Sequence, residues 1–373
     1  MQGNRIGKMH IIFVGGFLGA GKTTLLAQAA KHLAAQGKRV GVITNDQAAD
    51  LVDTKLLAGS GVAVEEIPAG CFCCRFEDLE RTAGHMFEKM RPDVLLSEPV
   101  GSCMDISATV LQPMKQRWGK WAEIFPFSVL ADPRRLRQVF DDANSSFPDS
   151  VRYIIKKQFE EADFVVINKT DLITPEELAA LKPNIASVWS DAKILEMSAL
   201  KDHGVVEWLD TILKAPNGGK KILDVDYDIY ASGEAELGWL NASIVLTAHE
   251  ETNWDSFARE LIGRIHGELA GRSAEIGHVK LLVSNAAGII VASATSIGEK
   301  ARTKGSIGRG GGGAELIINA RAHVEPQVLK SIVESSISAV AGNAIGLSEV
   351  HLTSFKPAYP RPTHRFGKVV IPA

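Results

Sequence analysis

The chain has 373 residues, of which 45% are hydrophobic and 23% charged, and its formal net charge is −3. This length and balance suit a globular protein of two domains, argue against a general nucleic-acid surface, and leave no apolar run near the ~18–20 residues of a membrane span. All four cysteines fall between residues 71 and 103, which excludes a disulfide scaffold and points to metal or thiol chemistry.

In chain order, residues 9–14 read as a short buried strand and residues 24–36 as a helix. The apolar stretch after Lys8 runs into the next motif, so it reads as a core strand and not a secretion signal, and the expected location is cytoplasmic. Between strand and helix, Gly16-Phe17-Leu18-Gly19-Ala20-Gly21-Lys22-Thr23 fits the phosphate-binding pattern G-x-x-x-x-G-K-[ST]. Gly16, Gly19 and Gly21 allow close backbone approach, and the amides around Ala20 and Thr24 lie at the positive end of the helix. Lys22 is expected on the β- and γ-phosphates and Thr23 on Mg²⁺.

Residues 39–44 form the second expected strand, ending at Asn45-Asp46-Gln47. Asp46 reads either as an acid near the magnesium or as a solvated loop residue. After the strand at 63–67 comes Gly70-Cys71-Phe72-Cys73-Cys74. Three thiols in four residues cannot share one face of a regular element, but a loop can aim them at one point. Thiolates favour Zn²⁺ and similar metals, and the helix starting near Arg75 favours the thiolate form. The strand at 93–97 ends in Glu98, a candidate magnesium-side acid, and Gly101 follows in a turn that could sense the γ-phosphate. Cys103 reads as a buried free thiol or as a fourth ligand to the Cys71–Cys74 loop. Lys22, Asp46 and Glu98 are thus the candidate catalytic residues.

Further strands are expected at 125–130, 164–167 and 193–197. Asn168-Lys169-Thr170-Asp171 follows the second of these. The Asp171 carboxylate suits the N1–H and 2-amino donors of guanine, Lys169 can lie along the ring, and Asn168 can tie loops together. Ser198 and Ala199 follow the last strand, where a backbone N–H can meet the guanine O6. The alternation of strands and helices predicts an α/β fold, a P-loop NTPase with a mostly parallel, doubly wound sheet over residues 1–214.

Residues 215–238 read as a linker. A smaller α+β sandwich domain is expected at 239–356, with strands at 240–247, 277–284, 288–294, 315–320 and 348–355 and helices at 254–269 and 326–341. Gly310-Gly311-Gly312-Gly313 reads as a flexible loop, and the proline-bearing tail at 357–373 as an extended, mobile end. The ten histidines form no cluster and read as packing or surface residues.

Taken together, the phosphate loop, Gly70-Cys71-Phe72-Cys73-Cys74, Glu98-Pro99-Val100-Gly101 and Asn168-Lys169-Thr170-Asp171 resemble the CobW-like (cobalamin-synthesis-protein) metallochaperone GTPases. Their wider group includes the urease and hydrogenase nickel-insertion GTPases. The resemblance implies a GTPase that binds GTP/GDP with Mg²⁺ and carries Zn²⁺ or Co²⁺ on Cys71, Cys73 and Cys74. It also implies a client, either a metal-receiving protein or a corrinoid-dependent enzyme, with no nucleic-acid or membrane partner. In the corrinoid alternative the cysteines are structural. Three departures stand out: Asn45-Asp46-Gln47-Ala48 replaces the more familiar Asn-Glu-Phe-Gly, Pro99 and Cys103 depart from the Glu98 motif, and a histidine tract is missing. Hydrolysis is expected to be slow, because no arginine finger can be named. Such a finger would come from a partner or a homodimer.

Overall fold

A computed structural model describes residues 8–45, 52, 62–67, 70–140, 145–189, 191 and 193–371. The first sheet contains β1 (Met9–Gly15), β2 (Val40–Asn45), β3 (Ala63–Ile67), β4 (Val94–Glu98), β5 (Ala122–Ile124), β6 (Ser128–Ala131), β7 (Phe164–Ile167) and β8 (Lys193–Glu196). Its order is β3-β2-β4-β1-β6-β7-β8, with β5 also beside β1, and each of these pairings is parallel.

Side chains alternate across this sheet with a period of two, and both faces are dry. On β1, Ile11 and Phe13 enter one core, while Ile12 and Val14 enter the other. The second core is closed by α1 (Lys22–Ala35) and α7 (Val205–Leu213) through Leu25, Leu26, Leu33, Trp208 and Ile212. The first is closed by α2 (Phe76–Met90), α3 (Gln112–Trp118), α4 (Pro133–Phe140) and α5 (Asp149–Glu161). A further helix, α6 (Pro175–Val188), starts with a capping box, in which Thr174 and Glu177 satisfy each other's amides. This is the doubly wound arrangement read from the sequence. It gathers the loops after β1, β2, β3, β4, β7 and β8 at the carboxyl ends of the strands.

The strand expected at 125–130 starts later, at Ser128 in β6, and β5 is a separate short strand before it. Pro126 between them has no N–H to give to a ladder, and the Phe127 N–H is taken by Asp163 Oδ2 at 2.8 Å. The stretch read as a linker also holds a helix, α8 (Tyr227–Ala235). Asp226 caps it by accepting from the amides of Asp228 and Ile229. Gly233 lets this helix close on α5, since a Cβ there would lie 2.5 Å from Ser150 O.

The second sheet is antiparallel and contains β9 (Gly238–Asn253), β10 (Ile276–Asn285), β11 (Gly288–Ala294), β12 (Arg302–Ser306), β13 (Arg309–Ala322) and β14 (Ile345–Phe355). Its order is β12-β11-β10-β13-β9-β14. Helices α9 (Trp254–Ala270) and α10 (Pro326–Ala341) cover one face, burying Leu261, Ile265, Leu329 and Val333 against Leu240, Leu281 and Leu316. The Gly310–Gly313 run is not a loop. It extends β13, with Gly310 opposite Thr252 and Gly313 opposite Thr247, because β9 supplies a backbone partner that needs no side chains. The other face of the sheet meets the first half of the chain. There Val52 is buried on Leu282 and Ile317, and its amide donates to Asn319 Oδ1 at 3.0 Å.

The tail is extended, as expected, but it is tied down. Thr363 N–H donates to Cys73 O at 2.8 Å, Phe366 N–H to Ala108 O at 3.0 Å, and Val370 N–H to Gln112 Oε1 at 2.8 Å. Among the described residues, no helix is long and apolar enough to cross a membrane.

Candidate functional site

The loop after β1 has the shape its sequence requires. Gly16, Gly19 and Gly21 have φ of 127°, 78° and 97°, in the region that disfavours side chains. A Cβ on Gly16 would also lie 2.5 Å from Leu130 O. The first backbone bond of α1 runs from Leu25 N–H to Gly21 O, so the amides of Lys22, Thr23 and Thr24 precede it at the positive helix end. Lys22 Nζ reaches back over the loop to Gly16 O at 2.8 Å and lies 3.8 Å from Glu98. Thr23 Oγ1 donates to Glu98 Oε2 at 3.0 Å. A hydroxyl beside a carboxylate, both buried, is an all-oxygen pair suited to Mg²⁺. Asp46 lies outside the described residues.

The expected base side is assembled from three loops. Asn168 Nδ2 donates to Ala20 O at 2.8 Å, and Asn168 Oδ1 accepts from Ala199 N–H at 2.9 Å, so this side chain ties the phosphate loop to the loop after β8. Ser198 Oγ donates to Asp171 Oδ1 at 2.6 Å, and Asp171 itself is exposed. Lys169 takes a left-handed backbone (φ 60°) and pairs with Asp132 Oδ2 at 2.6 Å. Asp132 was not picked out from the sequence. Burial pushes its carboxyl up, but Lys169 and Arg135 outweigh burial and hold it below the usual range. Its place at the end of β6, directly after Ala131, was the available signal.

Cys71, Cys73 and Cys74 converge, with their sulfurs within 4.8 Å of one another, and Cys71 Sγ lies 3.0 Å from Cys73 Sγ. Asn45 builds this loop. Its Nδ2 donates to Ile67 O and Gly70 O at 2.8 and 2.6 Å, and its Oδ1 accepts from Phe72 N–H at 2.8 Å. Cys103 lies beside this cluster, buried in the same core as Cys71 and Cys73. The neighbouring thiols push the Cys71 thiol well below its ordinary value, while Cys73, through its neighbours and burial, and Cys103, through Cys71 and burial, are pushed up. The three converging sulfurs are a soft donor set suited to zinc.

Glu98 to Cys103 is one loop that touches both centres. A Cβ on Gly101 would lie 2.7 Å from Leu18 Cδ2 and 3.1 Å from Lys22 Nζ, so this turn sits directly on the phosphate loop. Gln158 Nε2 grips the carbonyls of Gly101 and Cys103 at 3.0 and 2.8 Å. Ser102 Oγ donates to Glu234 of α8. Burial and the Cys71 charge push that wholly buried carboxyl up to about 8. Nothing in the residue pattern pointed to Gln158 or Glu234, because both act across long sequence separations.

The left-handed glycine loop, the lysine behind it and the parallel sheet define a P-loop nucleotide-binding protein. Residues 10–196, half of the chain, match the family model described as CobW/HypB/UreG, nucleotide-binding domain, and the chain belongs to this family. The zinc chaperone YeiR of Escherichia coli is 32% identical over 200 residues, covering 52% of this chain and 55% of its own. The zinc-regulated GTPase metalloprotein activator 1 of Schizosaccharomyces pombe is 26% identical over 231 residues, covering 60% of this chain and 53% of its own. The chain therefore spans about half the length of these curated relatives. The crystal structure of hydrogenase maturation factor HypB from Archaeoglobus fulgidus covers 56% of this chain and 90% of its own, at 19% identity and a TM-score of 0.39.

Proposed function

We propose that this protein is a GTP-hydrolysing zinc carrier in which nucleotide state sets the affinity of the thiol cluster. The observation that carries this reading is the Glu98–Cys103 loop, whose first residue bonds Thr23 and whose last is buried in the same core as Cys71 and Cys73. Two curated relatives are named for zinc, which favours zinc over cobalt as cargo.

In this reading Lys22 neutralises the β- and γ-phosphates, and Thr23 and Glu98 hold Mg²⁺, which supplies charge stabilisation at the transferring phosphate. Asp46, from its place in the sequence after β2, would be a second acid for Mg²⁺. Asp171 accepts from guanine, with Asn168, Lys169, Ser198 and Ala199 shaping the base pocket. Cys71, Cys73, Cys74 and Cys103 hold zinc as thiolates. A metal-bound triphosphate state pulls Gly101 toward the γ-phosphate and shifts Cys103 with it. A client protein receives the metal, and residues 239–356 form a separate domain available to meet it.

The test is zinc affinity, measured by competition with a chromophoric chelator, in Mg²⁺–GTP analogue and in GDP. Coupling free energies of this kind are ~1–3 kcal/mol, so a change of about 5- to 150-fold is expected, with the same factor in nucleotide affinity when zinc is varied. Equal zinc affinity in both nucleotides rules the carrier mechanism out. Cys103→Ser should weaken zinc without altering GDP affinity.

A further inference from the structure

The second sheet presents a buried imidazole to the phosphate loop. β10 opens with a bulge: Ile276 pairs with Ala322 and His278 with Arg321, leaving Gly277 as the extra residue. Bulges re-aim the side chains beside them. Here the bulge seats against the first half of the chain. A Cβ on Gly277 would lie 2.9 Å from Leu18 Cδ1. A Cβ on Gly19 would lie 2.8 Å from Thr295 Cγ2 and 3.2 Å from Gly277 O. Arg135, buried on α4, fixes the seat. Its guanidinium donates to the carbonyls of Ile276 and Thr295 and pairs with Glu275 at 3.3 Å.

His278 is 6% exposed, and among the described residues its Nε2 has no hydrogen-bond partner. An unpaired buried polar atom costs roughly 1–3 kcal/mol, so it calls for a physical reason. His278 lies on the same face of the sheet as Lys280, two residues along β10, and opposite Arg321 on β13. Burial first, then Lys280, Arg321 and Lys22, hold it well below the usual histidine range, which keeps it neutral with one N–H to give. Lys22 is the phosphate-loop lysine, and Gly277, next to His278, lies against Leu18 of that same loop.

We infer that His278, delivered by the β10 bulge, contacts the terminal phosphate of the bound nucleoside triphosphate, its Nε2–H donating to a γ-phosphate oxygen beside Lys22. The second sheet then completes the nucleotide site and distinguishes triphosphate from diphosphate. The inference rests on the phosphate-binding role of Lys22.

The experiment is calorimetric titration of the full chain with the β,γ-imido analogue of GTP and with GDP, both with Mg²⁺. His278→Ala should lose about tenfold or more in affinity for the triphosphate, the scale of a hydrogen bond to a charged group, and less than about twofold for GDP. His278→Gln, which restores an N–H donor, should recover most of the loss. GDP binding reports that the variants are folded. An unchanged triphosphate-to-diphosphate ratio in His278→Ala overturns the inference. A wild-type chain that binds neither nucleotide would instead remove the reading it rests on.

Discussion

Asp171 and Lys115 show how differently a single charge can be used. Asp171 is exposed and accepts one bond from Ser198 Oγ at 2.6 Å, which fixes its direction at the rim of the base side. Asp171→Asn replaces an acceptor with an amide that meets the guanine donors wrongly. Titration should show GTP affinity reduced by about tenfold or more, with a smaller loss for the xanthine nucleotide, whose position 2 carries an acceptor. Lys115 is buried, with Nζ donating to Gly219 O at 3.0 Å. Burial pushes its pKa down from 10.5 to about 8. Between those values the unfolded chain binds the extra proton, so wild-type stability is lost as pH falls from 10.5 through 8. Lys115→Met should therefore raise Tm most below pH 8, with the gain fading toward pH 10.5. Gly219 O keeps its bond from Gln112 Nε2 at 2.8 Å in that variant.

At the level of elements, the loop from Glu98 to Asp105 is held from several directions. Gln158 grips its carbonyls, and Asp105 is bonded by Tyr227 Oη and Arg365 Nε, each at 2.7 Å. The wholly buried Glu161 accepts from Ser107 N–H at 3.1 Å, at the start of a π-helical turn, Ser107–Leu111. Such turns often mark functional sites. Arg365→Ala removes a cation from a buried carboxylate and should cost about 1–3 kcal/mol in denaturant unfolding, while Cys74 becomes quicker to alkylate. Much of the first sheet was legible because β1, β2, β4 and β7 are short apolar runs with a motif at each carboxyl end. β12 was not legible, because all five of its residues are exposed and nothing alternates. The glycine half of β13 was hidden for a related reason: its partner's backbone, and not its own side chains, makes it a strand. Helix α8 was masked by the acidic run at Asp224–Asp228, yet it brings Glu234 to the thiol cluster. The glycines, cysteines and Asn168 were legible as candidates because their chemistry lies in local spacing. Asp132, Gln158 and Glu234 were missed because theirs lies in the tertiary fold.

For the whole molecule, the buried cation of Arg135 reinforces the contact between the first half of the chain and the second sheet. Arg135 and Glu275 side chains are 6% and 3% exposed. Arg135→Met strands Glu275 and leaves two carbonyls unanswered, so chemical denaturation should show a loss of ~3–5 kcal/mol. Triphosphate affinity should fall with it, since the bulge at Gly277 would no longer be seated on Leu18 and Gly19. The tail sets a different whole-molecule property. It crosses the cysteine loop with Thr363 on Cys73 O and the Arg361 amide 3.3 Å from Cys74 Sγ. Cys71, Cys73 and Cys103 are buried, and Cys74 alone of the four is partly open. A reagent therefore reaches Cys74 first, but the thiol there is pushed up to about 11 by its neighbours and burial and reacts slowly. The stretch of chain that crosses the cysteine loop thus also shields its thiols from solvent, and a protease that nicks it should leave them quicker to oxidise.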